Sequence, residues 1–176
     1  HGSAVWAGVF TRDGKLITTL DTHTDHVYCV TWSQKGLFAT GSADKTIRIW
    51  DLRTLKPIRT LEGHTDIVRW VEFSPDQATL ASAGVDKTVR LWSVADGKPI
   101  KNLTGHTERV KSLVFKPDGS RLISAASDRT IRVWPMGLSE EGPSLIEGHT
   151  ESVRSVAFSP DGSLIASGSL DKSVRL

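Results

Sequence analysis

The stretch Gly63-His64-Thr65-Asp66-Ile67-Val68-Arg69-Trp70-Val71-Glu72-Phe73-Ser74-Pro75-Asp76, continuing as QATLASAGVDKTVRLW to Trp92, decides the fold because the chain repeats it. It recurs from Gly105 (GHTERVKSLVFKPDGSRLISAASDRTIRVW) and from Gly148 (GHTESVRSVAFSPDGSLIASGSLDKSVRL). A variant precedes it from Thr22 (THTDHVYCVTWSQKGLFATGSADKTIRIW). The histidines His23, His64, His106 and His149 stand 41, 42 and 43 residues apart. A period in the low forties, made of short apolar runs between turn residues, predicts one four-stranded blade per repeat. Each unit then buries its apolar faces against its neighbours instead of around a core of its own.

Within a repeat the runs are evenly spaced. The first strand is Val68–Phe73 or Val153–Phe158, followed by Ser-Pro-Asp-Gly or a variant, where proline presets one backbone angle and glycine permits a positive one. The second strand (Leu80-Ala81-Ser82; Leu164 to Ser167) ends at a tight turn carrying Asp44, Asp86, Asp128 or Asp171, each followed by Lys or Arg. The third alternates, as in Thr46-Ile47-Arg48-Ile49-Trp50, with isoleucines on one face and polar or aromatic groups on the other. A more polar fourth strand (Pro57 to Leu61, Pro99 to Leu103, Ser144 to Glu147) opens on proline in two repeats and carries charges, which suits an outer edge.

These motifs, recurring in register over nearly the whole chain, resemble the WD-repeat family of β-propellers. The namesake pair is present at Trp50-Asp51, is altered to Trp92-Ser93 and Trp134-Pro135, and has no fourth copy, Leu176 falling one residue short of that tryptophan. The expected organisation is a tag remnant at 1–3, an amino-terminal segment at 4–21, blade 1 at 22–62, blade 2 at 63–104, blade 3 at 105–147, and a three-stranded blade 4 at 148–176. Residues 16–23 align with 57–64, so segment 4–21 reads as an outer strand. The resemblance implies that this strand completes blade 4, with Trp6 in place of the missing tryptophan. Residues 5–19 also resemble the first hairpin of a repeat, and that reading stands beside the first. The fold class expected is all-β, a propeller of four-stranded antiparallel blades, four per chain. The family's rings usually hold about seven or eight blades, and a four-blade ring would give each blade about 90°. Trp70, Phe73 and Phe115 suit a shallower wedge. A homodimeric eight-bladed ring, closed by strand exchange between two chains, is therefore preferred to a single four-blade ring or a fragment of a longer protein.

Composition narrows the function. The 176 residues are 38% hydrophobic and 24% charged, and no apolar run approaches the roughly 20 residues that span a bilayer. A net charge of +2 is too small to argue for nucleic acid. The lone Cys29 lies in an apolar strand with no disulfide partner, which fits a reducing compartment, cytoplasmic or nuclear. Asn102-Leu103-Thr104 fits the glycosylation acceptor pattern, and a chance match is the better reading.

Each repeat sets a histidine, a hydroxyl, an aspartate and a tryptophan at fixed offsets: His23, Thr40, Asp44, Trp50; His64, Ser82, Asp86, Trp92; His106, Ser124, Asp128, Trp134; and, incomplete, His149, Ser167, Asp171. Serine, histidine and aspartate together suggest a hydrolytic triad. Three complete copies around a ring argue instead for structural polar networks, in which indole, hydroxyl, imidazole and carboxylate satisfy one another, and the resemblance implies the same role. No catalytic residue and no cofactor is expected. Nor is a metal site, since the histidines come one per blade with no cysteine cluster, and His23 with His26 is a loop pair.

What remains is surface. Residues flanking the first valine of each innermost strand should emerge on one rim of the channel: His26 and Tyr28, Ile67 and Arg69, Arg109 and Lys111, Ser152 and Arg154, joined by Ala43, Val85, Ser127 and Leu170. The resemblance marks this rim as the usual partner-binding face. The partner-binding candidates are His26, Tyr28, Arg69, Arg109, Lys111 and Arg154; the patch is basic around its opening, with Tyr28 as an amphipathic anchor and the Asp76, Asp118 and Asp161 hairpins opposite. An acidic or phosphorylated peptide suits it best. Nucleic acid ranks second for want of an exposed aromatic series, and an anionic carbohydrate third. The reading is a non-enzymatic protein-interaction scaffold. Its alternative is a structural or engineered self-assembling module with no separate ligand.

Overall fold

The computed structural model describes residues 19–137 and 142–176. The tag reading at 1–3, most of segment 4–21 and Trp6 lie outside them. Among the described residues there are fifteen strands and no α-helix, arranged as four antiparallel sheets in chain order. Sheet 1 is β1 (Val27–Trp32), β2 (Leu37–Ser42), β3 (Ile47–Asp51) and β4 (Lys56–Leu61). Sheet 2 is β5 (Val68–Phe73), β6 (Thr79–Gly84), β7 (Val89–Ser93) and β8 (Pro99–Leu103). Sheet 3 is β9 (Val110–Phe115), β10 (Arg121–Ala126), β11 (Ile131–Pro135) and β12 (Ser144–Ile146). Sheet 4 has three strands, β13 (Val153–Phe158), β14 (Ile165–Ser169) and β15 (Val174–Arg175).

Local chemistry sets the turns. Gly36, Gly119 and Gly162 take positive φ in the first hairpins, and Gln77 does so at the same place in sheet 2. After the second strand the left-handed residue is not glycine but Lys45, Lys87, Arg129 or Lys172. A left-handed non-glycine costs about 1 kcal/mol or more. The preceding aspartate offsets it: Asp44 Oδ1 accepts the Thr46 N–H at 2.9 Å, and Asp128 Oδ1 the Thr130 N–H at 3.0 Å.

Successive sheets stack face to face, β1 and β2 against β5, β5 and β6 against β9, β9 and β10 against β13. The three cores lie in these seams. Ala39, Ile47, Ile49 and Leu61 of sheet 1 meet Val68, Val71, Phe73, Leu80 and Trp92 of sheet 2. Ala81, Ala83, Val89 and Leu91 meet Val110, Leu113, Phe115, Leu122 and Trp134 in the next, and Ile123, Ala125, Ile131 and Val133 meet Val153 and Val156 in the last. In the two middle sheets β6, β7, β10 and β11 therefore divide their alternate residues between two neighbours, and burying one such valine or leucine contributes about 1.5–3 kcal/mol. Trp70 differs from Phe73 and Phe115: those are buried in the seams, whereas Trp70 sits on the other face of β5, exposed, with its Nε1 donating to Glu72 at 3.3 Å. Alternation after Arg69 puts Val71 and Phe73 in the seam and turns Trp70 away from it.

Candidate functional site

Each sheet is tied to the turn before it by a hydrogen-bonded chain. An indole N–H can only donate, so Trp92 Nε1 donates to Ser82 Oγ at 2.8 Å. That hydroxyl donates in turn to His64 Nε2 at 2.7 Å, and the remaining Nδ1–H donates to Asp86 Oδ2 at 2.7 Å, the network thereby assigning the tautomer. The chain recurs as Trp50, Thr40, His23, Asp44 (3.0, 2.8 and 2.7 Å) and as Trp134, Ser124, His106, Asp128 (2.9, 2.8 and 2.8 Å). In the fourth repeat His149 bonds Ser167 at 2.9 Å and Asp171 at 2.7 Å.

The carboxylates take further bonds. Asp86 accepts the Thr65 N–H at 3.0 Å and the Thr88 hydroxyl at 2.9 Å, so although burial alone would raise its pKa, these bonds and His64 hold it down to about 2. Burial also opposes ionisation of Asp128, and Thr130, His106 and Thr107 outweigh it and lower its pKa. His23 and His106 are pushed below 6.5, first by burial, which keeps the imidazole neutral and able to accept from the hydroxyl. Ser82 and Ser124 are fully buried beneath their indoles. A hydroxyl so covered cannot be reached by a substrate carbonyl, and the resemblance to a triad ends there.

The innermost strands carry a second constellation. The pairing of β1 with β2 skips from Val27 to Cys29, that of β5 with β6 from Val68 to Trp70, that of β9 with β10 from Val110 to Ser112, and that of β13 with β14 from Val153 to Ser155. The skipped residues are Tyr28, Arg69, Lys111 and Arg154. Each is the extra residue of a β-bulge, a device that re-aims a side chain out of the ladder. The four occupy equivalent positions, one per sheet, and three are cationic. The Arg69 guanidinium lies 4.6 Å from the Tyr28 ring centroid. Lys111 is buried, and its pKa is pushed down to about 8 by that burial and then by Arg109, Arg69 and Arg154. Tyr28, Arg69 and Lys111 line a cavity of about 340 Å³ together with Trp70 and Glu72, whose carboxyl burial raises above its usual range. His26 is exposed, and its Nδ1 is hydrogen-bonded to Asp25 Oδ1 at 2.6 Å. Arg109 caps the next turn through its carbonyl, which accepts the Ser127 N–H at 3.0 Å. The Cys29 thiol is pushed up to about 12 by burial, which leaves it un-ionised and unreactive.

The sequence profile of the WD domain, G-beta repeat, matches residues 1–51, 55–93, 97–135 and 143–176. The chain belongs to the WD40 family. Its similar relatives include a zebrafish (Danio rerio) intraflagellar transport protein 122 homolog, 42% identical over 78 residues, or 41% of this chain and 6% of that one. An Aspergillus fumigatus histone acetyltransferase type B subunit 2 is 43% identical over 67 residues, covering 33% of this chain and 15% of the relative. The Arabidopsis thaliana coatomer subunit beta'-1 is 44% identical over 61 residues, 33% of this chain and 7% of the relative. The chain thus matches only a small part of each of these much longer proteins. WD40 repeats are protein-interaction modules, and the four sheets are WD40 blades.

Sequence reasoning missed two parts of these WD40 sites. Thr46, Thr88, Thr130 and Ser173 each donate a hydroxyl to the turn aspartate at 2.6–2.9 Å. The recurring Asp-Lys/Arg-Thr/Ser triplet is the signal that could have found them. The bulges left no such mark. Among the described residues no group of three or more metal-ligating side chains occurs, and no helix is long and apolar enough to cross a membrane.

Proposed function

We propose that this chain is a non-catalytic scaffold that captures an acidic or phosphorylated peptide on the basic rim formed by Tyr28, Arg69, Lys111 and Arg154, with Arg109 and His26 flanking them. The observation that carries this reading is the set of four equivalent bulges, three bearing cations crowded enough to depress Lys111. Cations held together in a partly desolvated cavity are stabilised by an incoming anion, and guanidinium forks suit carboxylate and phosphate. The lone buried thiol favours the reducing cytoplasm or nucleus.

The test is fluorescence anisotropy with an acidic peptide and its phosphoserine counterpart, against the triple charge reversal Arg69→Glu, Lys111→Glu, Arg154→Glu with its melting temperature checked. Loss of at least roughly 100-fold in affinity is expected. Affinity should also fall as pH rises from 7 to 9, because Lys111 loses its proton in that window. Unchanged binding by a folded triple variant would overturn the reading.

A second reading, assembly of two chains into an eight-bladed ring, is favoured by the two outermost faces. Trp32 of blade 1 is 43% exposed where its equivalents Phe73 and Phe115 are buried. In blade 4, Val174 and Leu176 are 75% and 87% exposed where Ile131 and Val133 of blade 3 are buried. Blade 1 of a second copy would meet blade 4 with the residue types that form the three seams inside one chain. Sedimentation equilibrium should then give about 38 kDa, twice the 19.2 kDa chain mass, and Trp32→Glu should return the monomer. A monomeric wild type at every workable concentration sinks the paired ring.

A further inference from the structure

The hairpins after β5, β9 and β13 lie at the opposite end of those strands from the bulges, and there the clefts between blades are closed in different ways. Between blades 1 and 2 side chains cross from both sides. Gln77 Oε1 accepts the Gln34 N–H at 3.1 Å, Lys35 Nζ donates to the Asp76 carbonyl at 3.2 Å, and the Arg59 guanidinium donates to the Ala95 carbonyl. The Arg59 stem lies over Gly97, where a Cβ would stand 2.9 Å from Arg59 Cδ. Between blades 3 and 4 the Lys116 stem lies over Gly162, its Cε 2.9 Å from where a Cβ would stand, and its Nζ reaches Asp118 at 2.9 Å. Between blades 2 and 3 the same positions hold smaller or shorter groups: Gly119 stands for Gln77, Thr79 for Leu37, Lys101 for Arg59 and Ser74 for Lys116. A Cβ at Gly119 would find its nearest neighbour in Pro75 Cδ at 3.9 Å, and one at Gly137, the counterpart of Ala95, would meet nothing within 4 Å. A cavity of about 320 Å³ is left, lined by the buried Leu91 and Phe115, the exposed Ile100, and the carboxylates of Asp76 from blade 2 and Asp118 from blade 3.

We propose that the cleft between blades 2 and 3 receives an arginine side chain from an extended segment of a partner protein, with an apolar neighbour of that arginine resting on Ile100. The two closed clefts indicate the guest. Each is filled by a long cationic side chain whose stem lies on the adjoining blade and whose head meets a carbonyl or a carboxylate. In the open cleft Leu91 and Phe115 give such a stem an apolar bed. Asp76 and Asp118 give the head its counter-charge, for both are held below the usual carboxylate range, Asp76 first by the Ser74 hydroxyl and Asp118 first by the Ser120 hydroxyl. Asp118 already pairs with Lys116, so a guest must bond more than one group at once. A guanidinium, with five donors in a fork, does this where an ammonium acts as a point charge. Lys101 also lines the cleft, but its side chain is exposed and free to turn into solvent as the guest enters. A segment bound here is basic, whereas the rim suits an acidic one, so neither reading depends on the other.

Fluorescence anisotropy of the 176-residue chain with a labelled Gly-Ser-Arg-Leu-Ser-Gly peptide tests this. The peptide should bind with Kd below about 1 mM, and its citrulline counterpart, which keeps the shape and loses the charge, at least roughly tenfold more weakly. Gly119→Gln and Lys101→Arg install the residents of the closed cleft between blades 1 and 2, and each should weaken binding at least roughly tenfold by filling the space. Gln77 holds the equivalent turn at φ 63°, so the first change suits the backbone. The second leaves the turn untouched, and its result stands whether or not the first variant folds. Free arginine amide should bind more weakly than the peptide, and equal affinity would give the site to a small ligand instead of a partner segment. The Arg69→Glu, Lys111→Glu, Arg154→Glu variant should bind the peptide no less tightly than the wild type. Equal affinity for the arginine and citrulline peptides, or unchanged binding by Lys101→Arg with its melting temperature intact, would overturn the inference and leave the basic rim as it is.

Discussion

Replacing His106 with alanine is expected to lower the stability of the chain by about 3–5 kcal/mol, read as a fall in the urea midpoint at pH 7.5. Two bonds are lost together, those to Ser124 and Asp128 at 2.8 Å each. The larger share falls on Asp128, a carboxylate whose side chain is almost fully covered and which accepts from His106. A hydrogen bond to a charged group contributes about 1.5–3 kcal/mol, and a buried charge left short of partners costs more than the bond itself. Thr107 and Thr130 still donate to Asp128, which keeps the loss below that of an isolated charge. Against a total of about 5–15 kcal/mol for a domain, such a loss is severe.

The same site gives stability a pH dependence of fixed sign. His106 in the folded chain has a pKa below the 6.5 of an unfolded histidine, so on acidification the unfolded chain takes up the proton first. The stability contributed by the neutral imidazole is complete above about pH 7 and is lost as pH falls through 6.5 toward the folded value. Asp128 works in the same direction lower down, its contribution being present above 3.8 and lost as pH falls further. The urea midpoint should be flat above about pH 7 and decline below it, and His106→Gln should flatten part of the decline. A midpoint that rises between pH 7 and pH 5 would contradict the assignment of His106 as a buried, neutral acceptor.

How much of this was legible depends on whether a feature leaves a mark within one repeat. Pro75, Pro117 and Pro160, with glycine at 119 and 162, announce the hairpins because their backbone angles are restricted or permissive in ways that few other residues share. The offsets joining His64, Ser82, Asp86 and Trp92 could be read because each group's donor and acceptor capacity fits the next and the set recurs. The left-handed lysines at 45, 87 and 172 could not be read from propensity, since a lysine there is tolerated only because an aspartate bonds around it. The bulges at Tyr28, Arg69, Lys111 and Arg154 were illegible for a different reason. A bulge is a property of two strands in register, and none of these residues is a glycine that would betray it. Likewise, alternation in β7 shows that Leu91 and Trp92 face opposite ways, but only the order of stacking tells which blade each one meets.

Trp134 should yield the other large effect, and its variants separate packing from polarity. Its side chain fills the seam between blades 2 and 3 beside Leu91, Leu103 and Leu122, and its Nε1 donates to the buried Ser124 hydroxyl at 2.9 Å. Trp134→Phe keeps most of the apolar volume and removes the donor, so it should cost about 1–3 kcal/mol through a hydroxyl left short of one partner. Trp134→Ala removes the volume as well and should cost about 3–5 kcal/mol, with a cavity that the adjoining blades cannot fully close. Pairing Trp134→Phe with Ser124→Ala closes a double-mutant cycle, and because the two groups touch, the pair should cost clearly less than the sum of the single changes. Additive losses would mean that indole and hydroxyl stabilise the seam independently and that the hydrogen-bonded chain through His106 does not act as a unit. If the pair does couple, the energy lies in what passes from one blade's strand to the turn that begins it, which is the step by which a repeat with no core of its own becomes rigid enough to hold four bulges in one layer.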